Sequence, residues 1–575
     1  MSSTAEAGAA TDPVSAALEA GHSDPAARAG RATIAAPAPS PDAPSTAALD
    51  PAHLGDIEGA LGHIRLDDAD SRRTVKRRLL TFLAIVGPGL IVMVGDNDAG
   101  GVATYAQAGQ NYGNSLLWVL LLLIPVLIVN QEMVVRLGAV TGVGHAKLIF
   151  ERFGRFWGAF SVGDLFLLNF LTIVTEFIGV SLALAYFGVS KYVAVPVAAV
   201  LLVAIALSGS FRRWERSMLA FIAASLVLVP LLLLSHPHYA SAGYHLVVPG
   251  IQGGVSSDAI LLIIAVVGTT VAPWQLFFQQ SNVIDKRITP RFIGYERADT
   301  VMGSLVVVLG ATAIMMVADF AARGSGTVGH FTDALGVANL LGGHNRVLGA
   351  LFAIVLLDAS VIGAAAVTLA TSYTFGDVFG IKHSLHRKFR DAKKFYASYT
   401  ALVVLAAAVV MIPGAPLGLI TTSVQALAGL LLPSASVFLL LLCNDKAVLG
   451  PWVNARWLNI LAAVIIAVLL VLSGVLVITT LFTGIDTTLV AIWLGAAMAV
   501  ALLVAALGLR ITRRRSGAPA PADTSERATW RMPPVAVLKP VAWSSGTKLG
   551  MSAMRGYLVI AAVLLIVKAV QLGSH

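Results

Sequence analysis

Cysteine is almost absent: Cys443 stands alone among 575 residues, which excludes an intramolecular disulfide and any cysteine-based metal cluster. Charge is scarce as well. Only 12% of the residues are Asp, Glu, Lys or Arg, half of the roughly 25% usual in soluble globular chains. No Walker-type phosphate loop, no nucleophile–base constellation and no zinc-ligand spacing occurs, so ATP use and enzymatic chemistry are not expected, and neither is a resident cofactor. No basic stretch leads an apolar core near residue 1, so no secretory signal is expected. What is abundant is apolar surface: 57% hydrophobic residues and a mean hydropathy of +0.81. A globule could not hide that much, and a disordered chain would not contain it. The formal net charge of +9 would suggest nucleic acid in a soluble protein. In a chain this apolar, cations mark loops instead, and no nucleic-acid partner is expected.

The expected fold class is therefore an all-α polytopic membrane protein with the lipid bilayer as its surroundings. Residues 1–70 are rich in Ala, Pro, Ser and Asp without an apolar period, a composition expected to form a disordered tail. Apolar segments near the ~20 residues needed to span hydrocarbon follow. They lie at about 80–108, 115–137, 159–188, 193–209, 217–235, 257–280, 300–322, 346–375, 397–412, 417–443, 456–482 and 487–509. A core over 79–443, two further helices over 456–509 and a linker over 510–550 are expected. Residues 556–573 read as a further transmembrane or interfacial helix. Arg72, Arg73, Lys76, Arg77 and Arg78 precede span 1. Cations also fill the 2–3, 4–5, 6–7 and 8–9 loops, whereas the 1–2, 5–6, 9–10 and 11–12 loops have none. The positive-inside rule then puts the N-terminus in the cytoplasm, in a cell (inner) membrane.

Two spans contain sequence that breaks helices. Span 1 carries Gly95-Asp96-Asn97-Asp98-Ala99-Gly100-Gly101, and span 6 carries Gly268-Thr269-Thr270-Val271-Ala272-Pro273-Trp274-Gln275. Carboxylates at mid-membrane depth are costly unless they face a cavity, and Pro273 frees backbone carbonyls near Thr269. The two spans are five apart. A five-helix unit crosses an odd number of times, so its second copy is inverted, with repeats at about 79–235 and 257–443. Matched breaks in inverted halves point to a transporter's midplane site.

These motifs resemble the natural resistance-associated macrophage protein (NRAMP) family of divalent-metal transporters. Gly87-Pro88-Gly89, eight residues, then Asp98-Ala99-Gly100-Gly101 sits where that family carries Asp-Pro-Gly-Asn. Gln131 to Gly142 resembles its second span, Ala272-Pro273-Trp274-Gln275 sits where it has Met-Pro-His-Asn, and Gln425 precedes Pro433 by eight residues as in its tenth span. The resemblance implies a LeuT-type fold, an alternating-access importer expected to be a monomer, and a metal site at Asp98, Gly101, Thr269, Ala272, Gln275 and Gln425. Glu176 matches the family's third-span glutamate; with Asp96, Asn97 and Trp274 it is a vestibule or coupling candidate.

The departures from the pattern are informative. Gly101 replaces an asparagine and Ala272 a methionine, as in the NRAMP-related magnesium transporter branch. Without the thioether, discrimination against hard cations is lost; Mg²⁺ keeps waters and needs one or two carboxylates. Ile173 and Trp274 replace an aspartate and a histidine of the proton relay, leaving Glu176 without a titratable neighbour in the motif. The resulting expectation is import of Mg²⁺, with Mn²⁺ also carried, without proton coupling. A proton-coupled Mn²⁺/Fe²⁺ importer and a sodium-coupled organic-solute carrier stay open. His236, His238 and His245 in the 5–6 loop, Asp258, Asp319, Asp358 and Asp377 have no assigned role.

Overall fold

The computed structural model describes residues 47–48, 50–68, 72–482, 484–516, 527, 530–541, 548, 550–552, 556 and 559. The expected helix over 556–573 and most of the tail over 1–70 lie outside these residues.

Leu-, Val- and Ala-rich runs form helices because only intrahelical bonding satisfies the backbone away from water. In chain order these are α1 (Val75–Ile85), α2 (Pro88–Val94), α3 (Ala99–Tyr112), α4 (Leu117–Thr141), α5 (His145–Phe153), α6 (Arg155–Tyr186) and α7 (Lys191–Ala206). Then come α8 (Phe211–Ala224), α9 (Leu228–Ser235), α10 (Tyr239–Val247), α11 (Ser257–Thr270), α12 (Pro273–Asp285), α13 (Ile293–Ala322) and α14 (Ala334–His344). The chain continues through α15 (Arg346–Phe379), α16 (Lys393–Val410), α17 (Leu417–Cys443), α18 (Lys446–Leu449), α19 (Arg456–Leu481) and α20 (Thr487–Ser516). Side-chain caps start many of them: Ser190, Ser210, Ser256 and Asn345 each accept a first-turn N–H. Gly142 and Gly380 stop α4 and α15 in the left-handed conformation.

Among the described residues ten helices are long and apolar enough to cross a membrane. The pair α1–α2, bent by 54°, and the shorter apolar α7 occupy the first and fourth expected positions. Span 5 is α8 and α9 joined by a 3₁₀ turn at Ser225–Val227. The most extensive packing joins α6 to α15, α3 to α13 and α11 to α17, so elements of the two halves interleave and share one apolar core. Three short helices were not legible as such: α5, α10 and α14 lie in connections. Residues 510–516, expected in the linker, continue α20.

Part of the expected tail is ordered. After a 3₁₀ turn at Pro51–His53, β1 (Ile57–Gly59) and β2 (Gly62–Ile64) form an antiparallel hairpin with Ile57 opposite Ile64 and Gly59 opposite Gly62. Ile57 and Ile64 are buried and belong to the main core. The expectation of disorder fails over 50–68 because these two residues, few as they are, find an apolar surface to cover.

The bend between α1 and α2 is held from α13. Both oxygens of Asp299 accept backbone bonds there: Gly87 and Gly89 N–H donate to Oδ2 at 3.0 and 2.8 Å, and Leu90 N–H to Oδ1 at 3.2 Å. Gly87 has φ +153°, and a Cβ there would collide with the Glu215 carboxylate, so only glycine fits the bend. Asp299→Ala would strand three buried donors. We expect it to destabilise the purified protein by about 3 kcal/mol; an unchanged unfolding midpoint in detergent would contradict this role.

Candidate cation-binding site

The two expected breaks fall where the sequence puts them. The chain leaves α2 at Val94 and re-enters helix at Ala99. It leaves α11 at Thr270 and re-enters at Pro273. Pro273 has no N–H, so the carbonyl of Thr269 loses its helical donor four residues on. The C-terminal end of α11 therefore presents carbonyl oxygen at the break, the polarity a cation favours.

Asp98 is the N-cap of α3, and its Oδ1 accepts the Gly101 N–H at 2.7 Å. Gly101 is where Asp98, Thr269 and the chain at Asp96 converge. A Cβ on it would lie 3.4 Å from Asp98 Oδ1, 3.3 Å from Thr269 Oγ1 and 2.7 Å from the Asp96 carbonyl oxygen. Thr269 Oγ1 is buried and has no hydrogen-bond partner. Gln425, on α17, reaches the neighbouring Gly100, and its buried Nε2 is likewise unpartnered. These side chains carry oxygen and nitrogen and no sulfur. Ala272 caps α12 without a side-chain bond and is buried.

Glu176, on α6, joins the same cluster. Its Oε2 accepts the Ala99 N–H at 3.1 Å, and Glu176 Oε2 and Asp98 Cβ both lie against Gly363, within 2.5 and 2.7 Å of where its Cβ would stand. Asp98 is thus a titratable neighbour of Glu176 that lies outside the relay motif of the sequence. Both cap the first turn of α3, whose partial positive charge stabilises them. Ile173 is fully buried one helical turn earlier on α6.

Other candidates sit differently. Gln275 is held by two hydrogen bonds. Its Oε1 accepts from Gln131 Nε2 at 3.0 Å, and its Nε2 donates to the Thr270 carbonyl at 3.3 Å. It tethers α12 to α4 and closes the break of span 6 locally. Asn97 donates to the Val307 carbonyl on α13 at 3.2 Å, anchoring the break rather than lining an entrance. Asp96 is fully buried with neither carboxylate oxygen partnered. Trp274 packs 5.9 Å from Phe278, centroid to centroid, and its Nε1 has no acceptor. Among the described residues no three His, Cys, Asp or Glu side chains converge as a metal centre. A cation at the breaks would meet one or two carboxylates with neutral oxygens and water.

Several partners were not legible. Tyr105 Oη and Thr270 Oγ1 pair at 2.7 Å, and Lys286 Nζ pairs with Glu215 Oε1 at 2.6 Å with both side chains fully buried. A lysine and a glutamate at the ends of apolar runs were the available signal.

Two inverted bundles with matched breaks, acids at one break and free carbonyls at the other, define a membrane carrier of small cations rather than an enzyme. Residues 89–479 match the family model described as natural resistance-associated macrophage protein-like, and the chain belongs to that family. It is 31% identical over 410 residues to a divalent metal cation transporter MntH of Ralstonia nicotianae, covering 68% of this chain and 89% of that one. An MntH of Bacillus subtilis is 27% identical over 437 residues, 72% of this chain and 96% of the relative. The fold matches that of a manganese transporter of Eremococcus coleocola with a TM-score of 0.56 at 20% identity, covering 80% and 99% of the two chains. This is the LeuT-type fold expected from the sequence.

Proposed function

We propose that the chain imports divalent metal ions by alternating access, with Mg²⁺ as the preferred ion and Mn²⁺ also carried. Membership of the family and relatives named as divalent metal cation transporters support the class. The observation that carries the ion preference is the Gly101 convergence, where Asp98, Thr269 and a backbone carbonyl meet, with Gln425 beside it and no sulfur. A hard ion that keeps several waters fits such a set. The cationic loops support a multi-pass protein of the cell membrane with α1 entered from the cytoplasm.

Membrane potential suffices as the driving force. At 100 mV, inside negative, two inward charges gain about 4.6 kcal/mol, enough for a ratio above roughly a thousandfold. Ile173 and Trp274 interrupt the family's relay, which supports transport without proton flow. The placement of Glu176 beside Asp98, both on the first turn of α3, favours a second reading, in which the arriving ion displaces a proton from this acid pair in a proton-coupled cycle.

Proteoliposomes decide between them. With a Mg²⁺-sensitive dye and a pH dye inside, we expect uptake accelerated by an imposed negative potential, with a flat internal pH. Metal-dependent acidification that vanishes with uptake in Glu176→Gln would establish the coupled reading. Absence of Mg²⁺ uptake beside robust Mn²⁺ uptake would refute the ion preference.

A further inference from the structure

The hairpin of β1 and β2 lies ahead of the stretch matched by the family model, which begins at residue 89. With the residues from Asp50 that lead into it, the hairpin contacts four separate elements. The Ala60 N–H donates to Glu215 Oε2 on α8 at 2.5 Å, and Arg216 Nε donates to the Ala60 carbonyl at 3.0 Å. Arg287, between α12 and α13, donates to the carbonyls of Ala52 and Asp56, both at 3.0 Å. His53 Nε2 is 2.9 Å from the His383 carbonyl, and Asp50 receives Arg387 Nε at 2.9 Å and the His383 N–H at 3.1 Å, all in the α15–α16 connection. The fourth element is α1. Gly59 and Gly62 press so closely on Ala84 that a Cβ on Gly62 would lie 2.8 Å from its methyl.

The same hairpin reaches the end of α1 through charged groups. Glu215, held by Ala60, pairs with Lys286, whose Nζ donates to the Ile85 and Val86 carbonyls at 2.7 and 2.9 Å. Those are the last carbonyls of α1, immediately before the 54° bend. α1 is therefore a short lever hinged at Gly87, with the cation site beyond it at Asp98. On the face carrying the cationic loops, it cannot swing away while Lys286 and the hairpin hold its end.

We infer that the segment Asp50–Ile64 is a latch that holds α1 against α8, the α12–α13 connection and the α15–α16 connection, and so keeps the cation site shut toward that face. Ion release requires the latch to let go. The inference rests on the carrier reading but not on which ion is carried.

The Asp50–Arg387 tie is set to resist mild acid. Burial works against the Asp50 carboxylate, but hydrogen bonds from Arg387 and the Ala52 N–H outweigh it and bring the group from 3.8 down to about 2. A depressed carboxyl contributes stability that is full above its unfolded value and lost as pH falls through the folded one. The tie is thus complete at pH 5 to 8, a range set by the ordinary environment of cells rather than by this group.

The test follows thiol labelling of Val86→Cys in a Cys443→Ala background, with a membrane-impermeant maleimide offered to the face carrying the cationic loops. Val86 is buried at the end of α1, so labelling reports the lever's opening. Asp50→Ala and Arg387→Ala should each raise the labelling rate about tenfold, since truncating one partner of a partly buried pair shifts such an equilibrium at least that far. Exchanging the charges, Asp50→Arg with Arg387→Asp, should bring it back toward the parent. Arg287→Ala strands no charge and should act in the same direction even where the others fold poorly. Unchanged labelling in Arg387→Ala and Arg287→Ala would overturn the latch, as would a charge exchange that labels as fast as the single variants. Labelling needs no ion, so a failed Mg²⁺ preference leaves this result standing.

Discussion

Asp98→Ala should abolish divalent-ion uptake while the protein still purifies as a folded monodisperse species. An ion that sheds even part of its hydration in a buried site needs a compensating charge. Asp98 lies at the Gly101 convergence with its Oδ1 2.7 Å from the Gly101 N–H. The residue also caps α3, so alanine removes about 1 kcal/mol of helix stability besides the charge. Asp98→Asn separates the two roles, because its amide oxygen can still accept the Gly101 N–H. We expect both variants to lose uptake by about a hundredfold or more, with Asp98→Asn retaining the parent's thermal stability. Uptake at the parental rate in Asp98→Asn, measured with an internal metal dye in proteoliposomes, would remove the charge from the transport mechanism.

Ala272→Met should turn the preference toward Mn²⁺. The alanine sits at the start of α12 in the break of span 6, and a thioether there adds a soft ligand that Mn²⁺ accepts and Mg²⁺ refuses. We expect the Mn²⁺-over-Mg²⁺ ratio in competition uptake to rise about tenfold, the equivalent of one moderate ligand difference. Gly101→Asn should behave differently. A Cβ at that position meets the Asp96 carbonyl at 2.7 Å, and backbone cannot yield as a flexible side chain does. The single Gly101→Asn variant should lose uptake of both ions rather than switch between them. An Ala272→Met protein that keeps the parental ratio would show that this position does not face the ion.

The breaks were legible in the sequence for an energetic reason. Glycines, two aspartates and a proline inside apolar runs have no inexpensive place in lipid except at a polar site, so both breaks could be placed from the sequence, whereas Gln425 was named only through the family resemblance. The hydrogen bonds of Gln275 were not legible for the complementary reason. A buried amide must find a partner, and its partner is Gln131, 144 residues away, which no spacing within one helix discloses. The hairpin was missed because three-residue strands are too short to show alternation, and Ala60 meets Glu215 across 155 residues. Glu176 was identified by position, but its bond to the Ala99 N–H depends on how α6 lies against α3. That relation belongs to packing, not to either segment.

The glycine at position 101 also bears on speed. An asparagine there would require an ion to exchange a bound water for an amide at each passage, and for Mg²⁺ that exchange is slow. Glycine offers no side-chain ligand to replace a water, so the cycle waits less on the lability of the hydration shell. Turnover would then be governed by how fast the helices rearrange, and ions of equal radius but very different ligand-exchange kinetics would cross at similar rates.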